Sequence, residues 1–456
     1  MTGSQTEVPV LGGTTKRYIF LDNGASTPVL EDVRTTVDKF MSYYGSVHRG
    51  SGFKSQLSSW LLDEARATVL NFAGADPTSY TAVFTKNATE SLNRLSQLFA
   101  FEPGDVVLIS AMEHHSNDLP WRARAAVDHV AVTALGELDM DDLRAKLRKH
   151  GSKVRLVSIT GASNVTGFVN PIHEIARLAH AHGALIAVDA AQLAPHRKIH
   201  MAGTDEASRI DFLAISAHKM YAPYGSGALI APIAFLEQAD PDMRGGGAVR
   251  VVTRDEVYLS PAPDRVEPGS PNTVGAIAMS RAMKILDRLG MDQVDQHERQ
   301  LTTYALNLLR EVPGLKLYGS TDPARTADRL GVIPINMGDM PHELLAAILS
   351  YESGIGVRAG CFCAHPYVIE LLGYDAAHVA QMRDRILSGD RTGVPGMVRV
   401  SFGVYNSKAD VDALVAALHR VARGEYAPGY VEDVHSGRFS HPGYQPDFTQ
   451  YFTLDD

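Results

Sequence analysis

From about Leu30 to Ser280 the chain alternates short apolar runs with stretches of helical periodicity, and that alternation leaves few folds open. Thr81–Phe84, Val106–Ser110, Val154–Thr160, Ala184–Val188 and Phe212–Ile215 read as strands. Between them, Gln56–Phe72, Thr89–Phe99, Asp141–Lys149 and Ile172–His182 repeat apolar residues at helical spacing. Buried strands separated by helices specify an α/β fold, a mostly parallel sheet covered on both faces. Past about Met283 the texture changes. Helical patterns at Met291–Val312, His342–Ser350 and Val411–Ala422 alternate with apolar runs at Leu315–Tyr318, Gly331–Asn336 and Val398–Phe402, as in a smaller α+β domain. The expected layout is a large domain over 30–282 and a small one over 283–424, the boundary falling in or just before a helix that begins near Met279. Residues 425–456, rich in Tyr, Pro, Gly and Asp, read as an irregular tail.

Composition narrows the function classes. A length of 456 residues is enough for two or three domains and a large core. With 43 basic against 52 acidic residues and no long basic stretch, nucleic acid is not an expected partner. No run of about 18 apolar residues occurs, so no membrane span is expected. The polar stretch from Met1 to Lys16 has no apolar segment of the secretory kind. Only two cysteines occur, Cys361 and Cys363, which excludes a disulfide-stapled fold and makes a reducing, cytoplasmic compartment the expectation.

Chemistry gathers at the strand ends. The run Phe212–Ile215 stops at Ser216-Ala-His218-Lys219, and a lysine ending a buried strand is costly unless it is paired, deprotonated or covalently used. A snorkelling lysine is the commoner fate; a Schiff base with pyridoxal phosphate is the use that fits burial. That cofactor also needs an acid against its pyridine nitrogen, a phosphate cradle and something to hold the ring. Asp189, ending Ala184–Val188, suits the acid, and Gln192 could meet the ring hydroxyl. The stretch from Thr85 through Ala88 and Thr89 opens a helix, whose free amides suit a phosphate; Ser216 and His218 could complete the shell. His114, in Glu113-His-His-Ser-Asn117, suits ring stacking better than metal binding, since sequence neighbours on an extended segment point apart. Asn164, after another strand, could reach the ring oxygen or a substrate. Every one of these lies at a strand's carboxyl end, where open α/β sheets bind ligands.

Val188-Asp189-Ala-Ala-Gln192, Ser216-Ala-His218-Lys219 and Glu113-His-His-Ser-Asn117 together resemble the class V aminotransferase fold, most closely its cysteine desulfurase and selenocysteine-lyase-like group. Phe20-Leu-Asp22-Asn-Gly-Ala-Ser26, Val47-His-Arg-Gly50, Pro268-Gly-Ser270-Pro-Asn272 and Val398-Arg399-Val-Ser401 match further motifs of that group, so the resemblance spans roughly residues 18–423. It implies the fold of the aspartate-aminotransferase-like, fold type I pyridoxal-phosphate transferases, with residues 1–29 joining the small domain. It also implies that Lys219 forms the internal aldimine, Asp189 pairs with the pyridine nitrogen, His114 stacks on the ring and Gln192 meets its oxygen. Thr89, Ser216 and His218 would hold the phosphate, with the hydroxyl of Ser270 arriving from the partner of a homodimer.

The same resemblance places a substrate carboxylate on Arg399, a task suited to guanidinium. In desulfurases of this group the persulfide-forming cysteine lies five residues after an arginine matching Arg358, and that position is Cys363. Where the group commonly has histidines, this chain has Cys361 and Phe362, a sequence similar to that of molybdenum-cofactor sulfurases. Cys361 is either a second sulfur carrier or an idle neighbour. The expected activity is conversion of L-cysteine to L-alanine with sulfur carried on Cys363. The alternatives are a selenocysteine lyase, another C–S lyase or an epimerase that does not use Cys363, and a silent scaffold. A helical insertion around Ala376–Leu387 and the tail after 424 are extra to the pattern.

Overall fold

Seven strands form one sheet in a computed structural model that describes residues 1–48 and 50–455. They are β1 (Tyr80–Thr85), β2 (Val106–Ser110), β3 (Ala126–Val130), β4 (Val154–Thr160), β5 (Leu185–Asp189), β6 (Phe212–Ser216) and β7 (Gly227–Pro232). Their order is β1-β7-β6-β5-β4-β2-β3; β7 runs antiparallel to both neighbours and the other six run parallel. The five expected strands form within a residue of their expected ends. Two more, β3 and β7, are not legible in the sequence. In β3, Asp128 and His129 interrupt the apolar run at the sheet's edge, and β7 is bracketed by Gly227 and Pro232, both turn signals.

The chain folds as two units, Met1–Thr2 with Gly24–His297 and Gly3–Asn23 with Glu298–Asp456. In the first, helices Ala88–Leu98 and Ile172–Ala181 flank the sheet, and Phe99, Phe212 and Phe235 pack edge-on and tilted with centroids 4.8–5.5 Å apart. Helix Thr273–Leu289 starts well before Met279, because the Asn272 side chain caps it by accepting the Gly275 N–H at 2.9 Å.

The second unit holds an antiparallel sheet of β8 (Leu315–Leu317), β9 (Val332–Met337), β10 (Arg358–Gly360) and β11 (Met397–Ser401), in the order β8-β9-β11-β10. Ile333, Ile335 and Val398 from this sheet share a core with Leu345 and Leu414 from helices His342–Ser353 and Lys408–Ala422. Ile19–Phe20 joins this unit by pairing in parallel with Ile355–Gly356. The Ala376–Leu387 stretch is a helix capped by Asp375. The tail carries a two-residue ladder, Val431–Glu432 with Phe439–Ser440, and Tyr444 stacks on Tyr351 at 4.2 Å. Among the described residues no helix is long and apolar enough to cross a membrane.

Candidate active site

β6 is buried along its whole length and passes at Ser216 into a tight turn, Ala217–Lys219. That turn is fastened by the chain around Ser26 and Thr27. The His218 carbonyl accepts from the Thr27 N–H at 2.8 Å, the Thr27 hydroxyl at 3.0 Å and the Ser26 hydroxyl at 3.1 Å. The Thr27 oxygen in turn accepts the Tyr221 N–H at 2.7 Å, and Tyr221 is left-handed, with φ 64°. A bulky residue in that region is strained and persists only where its surroundings enforce it. The lysine is therefore delivered by a rigid turn.

Asp189 ends β5, opposite Thr160 on β4 and Ala214 on β6. It is buried, and burial raises its carboxyl pKa, opposed by the Ala191 N–H at 3.0 Å and by the charge of Lys219. Burial, and secondarily Lys219, pushes His218 down to about 4, so its imidazole is neutral at neutral pH. The lysine thus acts on both the acid and the neutral imidazole at one end of the sheet.

The start of helix Ala88–Leu98 lies against the same group. Asn87 caps it by accepting the Glu90 N–H at 2.9 Å, and the Ala88 N–H donates to the Ser216 hydroxyl at 2.8 Å. Thr89 shares a 2.7 Å hydrogen bond with Ser116, whose hydroxyl lies 2.9 Å from His114 Nδ1. Gly227 makes this approach possible: a Cβ there would come within 2.5 Å of the Ile215 carbonyl and 2.7 Å of Asn87 Cα. Gln192 donates to the Gly24 carbonyl at 2.6 Å, and Asn164 is buried in the loop after β4. Ser270 is exposed and shares no hydrogen bond with these residues among those described. Arg49, in the Val47–Gly50 motif, lies outside the described residues.

Glu113 has no role that its motif reveals, and the structure gives it one. Its Oε1 accepts from the Ser110 hydroxyl and from the Thr160 N–H at 2.9 Å, and its Oε2 from Asn117 at 2.7 Å. Asn117 Oδ1 accepts from Trp121 at 3.0 Å and Ser158 at 2.6 Å. Burial pushes the Glu113 carboxyl up to about 8 against those three donors, and Asp189 adds to the rise. This network braces the segment that carries His114. Its only signal in the sequence is an acid next to two histidines.

Cys363, Arg358 and Arg399 belong to the second unit. Arg358 on β10 faces Arg399 on β11 across the ladder, and Asp22 bridges them, at 2.8 Å to Arg358 and 3.2 Å to Arg399. Sequence reasoning missed this role of Asp22, although a buried arginine such as Arg399 signals a carboxylate somewhere nearby. Burial lowers the Arg399 pKa; Asp22 opposes this strongly and Cys363 more weakly. Cys363 is exposed and Cys361 buried. The Cys361 thiol donates to the Pro395 carbonyl at 3.2 Å, and burial, with Cys363 nearby, pushes its pKa up to about 11. Phe362 and Cys363 are both left-handed, with φ 52° and 55°.

A family model described as Aminotransferase class-V matches residues 19–414. The chain is 36% identical over 416 residues to a cysteine desulfurase of Dickeya dadantii, covering 89% of this chain and 92% of that protein. It is 33% identical to a probable cysteine desulfurase of Streptomyces coelicolor over 89% of this chain and 92% of that one. Among solved structures, an apo cysteine desulfurase from Thermococcus onnurineus superposes with a TM-score of 0.78 at 29% identity, covering 89% of this chain and 95% of that one. A cysteine desulfurase from Escherichia coli, in an S-sulfonic acid form, gives 0.75 at 29% identity over 90% and 96%.

Proposed function

The chain belongs to the class V aminotransferase family, and from that premise we propose that it is a pyridoxal-phosphate cysteine desulfurase that converts L-cysteine to L-alanine and carries the sulfur on Cys363. The observation that carries the reading is the group at the sheet's end: a lysine acting electrostatically on both a buried acid and a neutral histidine, beside a capped helix start. This donor set fits the cofactor. Lys219 would hold its aldehyde carbon, Asp189 its pyridine nitrogen, and Gln192 and Asn164 its ring oxygen, with His114 against the ring. Ala88, Thr89, Ser216 and His218 would hold the phosphate. When bound, the cofactor supplies an electron sink that labilises bonds at the substrate's α- and β-carbons.

The chain's own groups do the rest. Arg399, held by Asp22, grips the substrate carboxylate, and Arg358 adds positive charge beside it. The Lys219 amine takes the α-proton and returns one to the product. The Cys363 thiolate attacks the substrate sulfur, so that an S–S bond forms as the Cβ–S bond breaks, leaving a persulfide on Cys363 and alanine to depart. Cys361, whose thiol burial keeps protonated, takes no part.

A homodimer, with the partner subunit's Ser270 completing the phosphate site, is supported by exposed apolar side chains on the first unit. Met41, Tyr43, Phe53 and Trp60 are exposed, as are Val251, Val252, Val257 and Tyr258 on one antiparallel hairpin.

Alanine and sulfide released from L-cysteine with a reductant test the reading in wild type, Lys219→Ala and Cys363→Ala. Lys219→Ala should lose both turnover and the cofactor's visible absorbance. Cys363→Ala should keep the absorbance and lose about a hundredfold or more in rate. Equal turnover in Cys363→Ala would remove the persulfide step while leaving the cofactor assignment in place.

A further inference from the structure

The loop that carries Cys363 is pinned at both ends. On its amino side the Cys361 thiol donates to Pro395, and on its carboxyl side the Ala364 N–H closes on the Cys361 carbonyl at 2.8 Å, where helix His365–Leu372 begins. Between these anchors stand two consecutive left-handed residues, neither of them glycine. Side chains with a Cβ avoid that region unless contacts hold them there, and a phenylalanine more than most. Phe362 is buried, and its ring centroid lies 5.0 Å from the Arg399 guanidinium carbon, a cation–π distance. Arg399 is itself buried and ion-paired with Asp22, so the ring rests on a fixed cation and the contact is desolvated, where such contacts are strongest. Arg358 on the neighbouring strand is half exposed and has no ring against it among the described residues.

We propose that Phe362 is a positioning residue: seated on Arg399, its ring holds the left-handed Phe362–Cys363 pair and so ties the presentation of the Cys363 thiol to the arginine assigned to the substrate carboxylate. The proposal rests on the desulfurase reading above and extends it to a residue that this chain has in place of a histidine. It makes the cysteine loop and the carboxylate site one mechanical unit. A substrate engaging Arg399 then meets a thiol already oriented, without the cost of ordering a free loop.

The test compares Phe362→Leu, which keeps apolar bulk and removes the ring, with Phe362→Tyr, which keeps the ring face. In the holoenzyme, Phe362→Leu should lower kcat for alanine formation about tenfold while KM for L-cysteine stays within about twofold, because Arg399 retains Asp22. Phe362→Tyr should stay within about twofold of wild type in both. The second readout needs no turnover: the rate at which iodoacetamide alkylates Cys363, located by peptide mass. Cys363 is already exposed, so access does not limit that rate. Losing the fixed relation to the Arg399 charge should slow it about threefold in the leucine variant and leave it unchanged in the tyrosine variant. Wild-type kcat and alkylation in Phe362→Leu would overturn the proposal. So would an equal fall in both variants, which would mean that the residue only fills space. Full desulfuration by Cys363→Ala would instead sink the persulfide reading, and the alkylation comparison would still decide the role of Phe362.

Discussion

Glu113 shows how much of the candidate site rests on residues to which their motif assigns no role. Three donors converge on its carboxyl group, the environment of an ionised acid, yet burial outweighs them and lifts its pKa to about 8. In the unfolded chain the same group ionises near its ordinary 4.5. The native state therefore binds the proton more tightly, and this residue's contribution to stability is fully present below pH 4.5 and is lost as pH rises through about 8, by about 1.4 kcal/mol per unit in between. Glu113→Gln removes that titration. It also puts an amide donor where Asn117 needs an acceptor, a cost of about 1–3 kcal/mol at every pH. Urea midpoints between pH 5 and 9 should show the variant less stable at the acid end. The gap should then close and change sign, because the loss in wild type outgrows that cost, and should stay constant above about pH 8 with the variant the more stable. A gap that stays constant across the range would mean that Glu113 is ionised throughout. Asp22 belongs to the same class: two arginines opposite each other on adjacent strands need a shared carboxylate, but one more than three hundred residues away in sequence cannot be found by spacing.

At the scale of elements, the parts that sequence made legible are those whose burial leaves a simple pattern. β2 and β4 form at their expected ends because an apolar run between polar clusters admits little else, and the lysine turn was visible because a charge at the end of such a run is an anomaly. β7 was hidden, although it does the most to assemble the site. Gly227 reads as part of a turn, but the structure uses it as the place where two backbones meet. Gly227→Ala would press a methyl group against the Ile215 carbonyl and Asn87 Cα, atoms that cannot rotate away. We expect a loss of about 1–3 kcal/mol in thermal or urea unfolding. The helix start should also move from Ser216, so pyridoxal phosphate should bind more weakly, by a factor that equilibrium dialysis can read. Unchanged stability and affinity would show that the strand can slide without disturbing the helix. The loop Gly360–Ala364 reads in the sequence as the place of the expected sulfur-carrying cysteine, but its two left-handed residues are not legible, because no sequence pattern encodes a strained conformation that packs on a distant arginine.

The whole molecule divides its candidate site residues between two units. The first holds the lysine, the acid and the helix start, and the second the cysteine loop and the paired arginines. Sequence motifs located both sets, since each motif is local, but could not supply the braces that join residues far apart in the chain, such as Ser26 and Thr27 on the lysine turn or Asp22 on the arginines. The central claim is that the sulfur of L-cysteine is carried on Cys363 in a reaction that needs Lys219. Its most direct test is the mass of the peptide bearing Cys361 and Cys363 after the holoenzyme turns over L-cysteine without reductant. The account predicts a gain of one sulfur atom, located at Cys363, reversed by a thiol reductant and absent in both Cys363→Ala and Lys219→Ala. Alanine formed at the full rate with no sulfur on that peptide, or with the sulfur on Cys361 alone, would contradict it.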